Sequence, residues 1–183
     1  MTGKSNRGPG AATENRAALV AAARDVFAEQ GVDGPLSAVA KRAGVGQGSL
    51  YRHFPSREAL AHAVFDENLA EVERLAAHDH SSLRDVTDLI THQLEGNAAM
   101  IAYFAHEGDP RLRGFEARIA AALAPKVEAA RADGTLGPRT TVDDVVLAVA
   151  MLAALVARVP EATRHARVED AWALLMRGLG PGA

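Results

Sequence analysis

Cysteine is absent from this 183-residue chain. That removes disulfides, cysteine-based zinc sites and thiol nucleophiles together, and it fits a reducing, cytoplasmic setting. Aromatic residues make up only 4%, so an adjacent pair such as Tyr103-Phe104 stands out. Long apolar runs are missing too. The longest, Val145 to Ala157, is 13 residues, short of the roughly 20 that a membrane span needs. It reads as a buried helix, and no membrane partner is expected. The opening stretch MTGKSNRGPGAATENR has no apolar core of the kind a secretory signal carries.

Strict alternation of apolar and polar residues never runs long enough for a strand. No G-x-S-x-G, P-loop, G-x-G-x-x-G or H-E-x-x-H pattern occurs, so nothing supports an enzyme or a bound cofactor. His78-Asp79-His80 brings two imidazoles together, but no third or fourth ligand can be placed, so a polar loop is expected and no metal.

What is present favours helix. Alanine and leucine dominate a composition that is 48% hydrophobic and 23% charged, and both are strong helix formers. An all-α fold is expected. The net charge of −3 is unevenly spread. Residues 1–57 hold eight Lys/Arg against four Asp/Glu, whereas residues 58–183 hold twelve against nineteen. A polyanion tolerates the first part and is repelled by the second.

Residues 1–12 are rich in Gly, Ser, Asn and Pro and carry Lys4 and Arg7, which suggests a disordered basic arm. Thr13 can cap a helix to about Gln30, with Leu19, Ala23, Val26 and Phe27 on one face and Gly31 past its end. Gly34-Pro35 opens a second helix to Ala43. Gly44-Val45-Gly46 turns the chain into a third, Gln47 to Phe54, which Pro55 stops. Ser56 caps a fourth, about 57–78. Further helices are expected near 82–95, 98–106, 110–132, 142–158 and 167–179, with Pro125 kinking or splitting the 110–132 helix.

Helix two, the glycine turn and helix three carry the functional argument. A helix-turn-helix needs a small residue where its helices cross and a glycine in the turn; Ala40 and Gly44 supply them. Its recognition helix presents small or polar residues where it enters the major groove, as Gln47-Gly48-Ser49 does. Leu50 and Phe54 would anchor it from beneath.

Ala23, Phe27 and Gly31, followed by VAKRAGVGQGSLYRHFPSREAL, resemble the signature of TetR/AcrR-type regulators over roughly residues 16–65. The resemblance implies that Gln47, Gly48 and Ser49 read base edges. It further implies that Tyr51, His53 and Arg57 contact phosphate, that Arg52 reaches a base or the backbone, and that Ser37 lies near the backbone. Three positions depart from the family. Gly34-Pro35 stands where a threonine often donates to phosphate, Gly46 where Ser or Thr is common, and Gln47 where Lys is common.

The expected organisation is therefore the arm at 1–12, a DNA-binding domain at 13–57, and a helical regulatory and dimerisation domain at 58–183. The last two helices are apolar on more than one face, and Val145, Val149, Leu152, Val156, Trp172, Leu175 and Leu179 are expected at a homodimer interface. A pocket for a small apolar or amphipathic ligand is expected among Leu89, His92, Gln93, Met100, Tyr103, Phe104, Phe115 and Ile119. The functional expectation is a dimeric repressor released from operator DNA by that ligand. The alternative is a DNA-binding regulator controlled by a protein partner or by abundance.

Overall fold

The computed structural model describes residues 9–107 and 112–182. Among them the chain is helical throughout: α1 (Pro9–Gln30), α2 (Leu36–Arg42), α3 (Gln47–His53), α4 (Arg57–Ala76), α5 (Leu83–Gly96), α6 (Ala98–Glu107), α7 (Leu112–Ala132), α8 (Val142–Val156) and α9 (Glu161–Leu179). No helix in this set is long and apolar enough to cross a membrane.

Two compact units divide the chain, residues 1–67 and 68–183. The boundary falls inside α4, about ten residues beyond the division at 57 expected from sequence, because the first half of α4 completes the head's core. Leu60, Ala61 and Val64 are buried there, like Leu19, Val26 and Phe27 of α1, Val39 and Ala40 of α2, and Leu50 of α3. Burying each of these leucines, valines and the phenylalanine stabilises by about 1.5–3 kcal/mol. The helix α1 packs on α2 and α3, which also pack on each other.

The second unit has one main core. It draws Leu69, Val72 and Ala76 from α4, Val86 and Ile90 from α5, Leu123, Val127 and Ala130 from α7, and Val145 and Val149 from α8. A smaller cluster joins Ala98, Leu152, Val156 and Val168. Capping boxes start α5 and α8. Ser82 and Thr141 accept from the backbone N–H of Asp85 and Asp144, whose carboxylates accept in return, so two orphan donors are satisfied at each helix start. Those bonds hold both carboxyls below their ordinary range, with the backbone N–H of Ser82 or Thr141 the largest cause.

Several boundaries differ from expectation. The first helix begins at Pro9, so Thr13 lies inside it and residues 9–12 are helical; residues 1–8 of the expected arm lie outside the described residues, as does Gly108-Asp109-Pro110. Pro125 neither splits nor ends α7. Its ring deprives the carbonyl of Ala121 of a donor, and both residues lie on the exposed side of the helix, where water can serve. The last helix starts at Glu161 rather than near 167, directly after Pro160 and with an acid in its first turn, two start signals that the sparse apolar pattern of residues 161–167 obscured.

Candidate nucleic-acid interface

The turn between α2 and α3 is built as the sequence requires. Gly44 sits at φ +65°. Its N–H donates to the carbonyl of Lys41, and the N–H of Val45 donates to that of Ala40. This Schellman pattern closes α2 and needs a left-handed residue, which only glycine adopts without strain. The chain then leaves through extended Gly46 into α3. Leu50 and Phe54 are buried, so the helix is anchored on one side and its first residues face out.

Gln47, Gly48, Tyr51, Arg52 and Ser37 are all exposed, while Ser49 and His53 are half-buried. Tyr51 keeps 54% of its surface accessible, which is unusual for an aromatic side chain with no outside partner. Gly48 is a helical glycine whose replacement Cβ would meet nothing within 4 Å. No neighbour within the head requires its missing side chain. Arg52 folds back, its Nε donating to the carbonyl of Gly48 at 3.1 Å. The ring of His53 lies 6.4 Å from that of Phe54 in a tilted arrangement.

The cations of the head divide into engaged and available groups. Arg42 donates through both terminal nitrogens to Glu29 at 2.8 Å and lies 3.9 Å from Asp25. The Arg42 hydrogen bond is the main reason the Glu29 carboxyl is held below its usual range. Arg57, expected from sequence at phosphate, donates here to the carbonyls of Val32 and Gly34. Lys41 is exposed at the end of α2, and Arg16 of α1 lies 5.2 Å over the Phe54 ring. Neither Lys41 nor Arg16 was singled out from sequence.

The expected pocket residues do not form one set. His92 is exposed, since it falls on the outer face of α5, and it cannot line an interior cavity there. Leu89, Phe115 and Ile119 pack against the main core, and Met100 is buried. Tyr103 is half-buried, and the side chain of Phe104 lies outside the described residues. Gln93 spends its amide on the carbonyl of Asn68 at 3.1 Å and the carboxylate of Glu71 at 2.9 Å.

The expected interface residues do not all face the same way. Val145, Val149, Leu152 and Val156 are buried within their own unit, and Trp172, Leu175 and Leu179 are partly buried against its cores. The stripe at 145, 149, 152 and 156 is the inner face of an almost wholly apolar helix. The outer face carries Leu147 and Met151, at 60% and 53% exposure, beside Leu174 of α9 at 62%. These three side chains, with Asp144, Ala148, Leu175, Gly178 and Leu179, line an open groove.

Comparison with known proteins agrees with this geometry. Residues 19–64 match the family of bacterial regulatory proteins, tetR family. The A-factor receptor protein of Streptomyces griseus is 43% identical over 56 residues, covering 30% of this chain and 20% of that protein. The HTH-type transcriptional regulator UidR of Escherichia coli strain K12 is 28% identical over 107 residues, 53% of each chain. The matches thus span about half or less of these relatives. A crystal structure of a TetR transcriptional regulator from Streptomyces coelicolor superposes with a TM-score of 0.70 at 29% identity, covering 92% of this chain and 99% of that one.

Proposed function

The chain carries a TetR-family helix-turn-helix head on a TetR-like all-helical fold, and from that premise we propose that it is a dimeric repressor released from operator DNA by a small apolar or amphipathic ligand. The observation that carries the DNA part is the start of α3. Gln47, Gly48 and Tyr51 are exposed together over the buried anchors Leu50 and Phe54. Gln47 offers an amide that can pair with adenine in the major groove. Tyr51 and Ser37 offer hydroxyls to the backbone, and Ser49 to a base or phosphate.

The pairing part rests on the outer face of α8 and α9. Leu147, Met151 and Leu174 form an apolar seam of the kind a lone chain rarely leaves in water. Asp143 and Asp144 lie at the start of α8, and Arg158 and Arg167 lie toward its other end, all four exposed. Two copies packed in opposite directions would match unlike charges across a two-fold axis.

The ligand part draws support from the relative named as a receptor for A-factor. The packing of Leu89, Phe115 and Ile119 against the core favours the second reading, a regulator with no small-molecule switch. Selection of bound DNA from a random pool tests the DNA reading. A preferred palindromic sequence is expected, and recovery of unenriched DNA at moderate salt would sink it. Selected operator then serves to screen small apolar compounds for release.

A further inference from the structure

We propose that Arg57 is a positioning residue that ties the start of α4 to the segment feeding α2, and that it makes no phosphate contact itself. This rests on the DNA-binding reading above. The guanidinium of Arg57 donates to the backbone carbonyls of Val32 and Gly34, and the side chain is half-buried. One terminal nitrogen, Nη1, gives both of its hydrogens to these carbonyls, so swinging the side chain out to a phosphate would leave both acceptors unmet.

The segment it holds is tightly built. Gly31 sits at φ +75°, and a Cβ on Gly34 would come within 3.1 Å of the Gly31 carbonyl and of Val26 Cγ1. Pro35 then leads directly into α2, whose start has no side-chain cap. Arg57 does not cap α2, because a guanidinium cannot accept from the helix's first N–H groups; it fixes the chain leading into α2 through the carbonyls of that chain. Since α2 packs on α3, the angle at which α3 presents Gln47 and Ser49 depends on this link. A shift in the first turn of α4 is passed to the reading helix through it.

The test measures affinity of the full chain for selected operator and for unrelated duplex, each across a salt series, for wild type, Arg57→Gln and Arg57→Met. The Met variant keeps the aliphatic stem if Gln unfolds the head. The expected result is an operator affinity reduced about tenfold or more, unrelated-duplex affinity unchanged, and an unchanged slope of log affinity against log salt. A slope lower by about one, with both affinities reduced, marks a lost phosphate contact and overturns the proposal. A lower Tm with both affinities intact, or loss of fold in both variants, assigns Arg57 to fold maintenance alone and also overturns it. Wild-type protein that prefers no sequence overturns the DNA reading and this link with it. Wild-type preference combined with either failing pattern overturns the link alone.

Discussion

Arg42 of α2 grips Glu29 of α1 through two parallel hydrogen bonds, both 2.8 Å long. A cation on the reading head is thereby matched by an acid of the same head. The bidentate geometry is specific, but both partners are well exposed, so solvent screens the energy.

The first prediction concerns that pair. The Glu29 carboxyl is held below its ordinary value by the Arg42 hydrogen bond. A carboxyl depressed in the folded state contributes stability that is present above its unfolded value and is lost as pH falls through the folded one. The Tm difference between wild type and Glu29→Gln should therefore shrink on going from pH 7 to strongly acidic solution. At neutral pH the same variant releases Arg42 from its hydrogen-bonded acid and leaves only Asp25 at 3.9 Å, so non-specific duplex binding should tighten with a salt slope steeper by up to about one. An unchanged slope would show that Arg42 does not reach DNA.

Gln47→Ala should leave the unfolding free energy within about 0.5 kcal/mol of wild type, since the residue is exposed and surface changes of this kind are mild. It should relax preference at one operator base pair by about 1–3 kcal/mol. Binding-site selection with the variant checks this, and an identical site would remove Gln47 from the readers.

Gly48→Ala separates folding from reading. Alanine favours helix over glycine by about 1 kcal/mol, and the added methyl meets nothing in the head. Thermal unfolding should move upward or stay level. If the small residue is there to let α3 approach the groove closely, operator affinity should fall while non-specific affinity holds.

Thr141→Ala removes the cap of α8 and should cost about 1 kcal/mol, read by urea denaturation. The Thr141 hydroxyl also donates to the Asp144 carboxylate at 2.7 Å, and the backbone N–H of Thr141, together with that hydroxyl, holds the carboxyl low. The variant keeps the backbone bond and loses the hydroxyl one, so the cost should decline as pH falls through the depressed value of that carboxyl. A pH-independent cost would mean that the hydroxyl-to-carboxylate bond adds nothing.

Leu147→Glu places a charge on the outer seam of α8. The residue is 60% exposed, so the folded chain should tolerate it, whereas sedimentation should show single copies and operator affinity should fall by a hundredfold or more. A variant that stays paired would move the interface elsewhere.

The head was legible because its geometry depends on a few residues with little substitute. Gly31 and Gly44 sit at positive φ, Pro35 and Pro55 mark element ends, and Leu50 and Phe54 are the buried anchors that their spacing indicated. The carbonyl contacts of Arg57 were not legible, because a cation at a helix start looks the same whether it faces solvent or a carbonyl 23 or 25 residues away. The second unit was harder to read. Its helices are rich in small apolar residues, so α8 shows apolar side chains on every side, and periodicity cannot say which stripe faces the core. The inner stripe at Val145, Val149, Leu152 and Val156 became known only from packing. His92 was misplaced for a different reason: it lies off the stripe of Leu83, Val86, Thr87 and Ile90 that α5 buries.

The seam of Leu147, Met151 and Leu174 also bears on dosage. If pairing through it precedes tight operator binding, the paired species forms by mass action. While single copies predominate, operator occupancy then rises with the square of chain concentration. A modest change in expression would give a disproportionate change in repression, with no ligand involved.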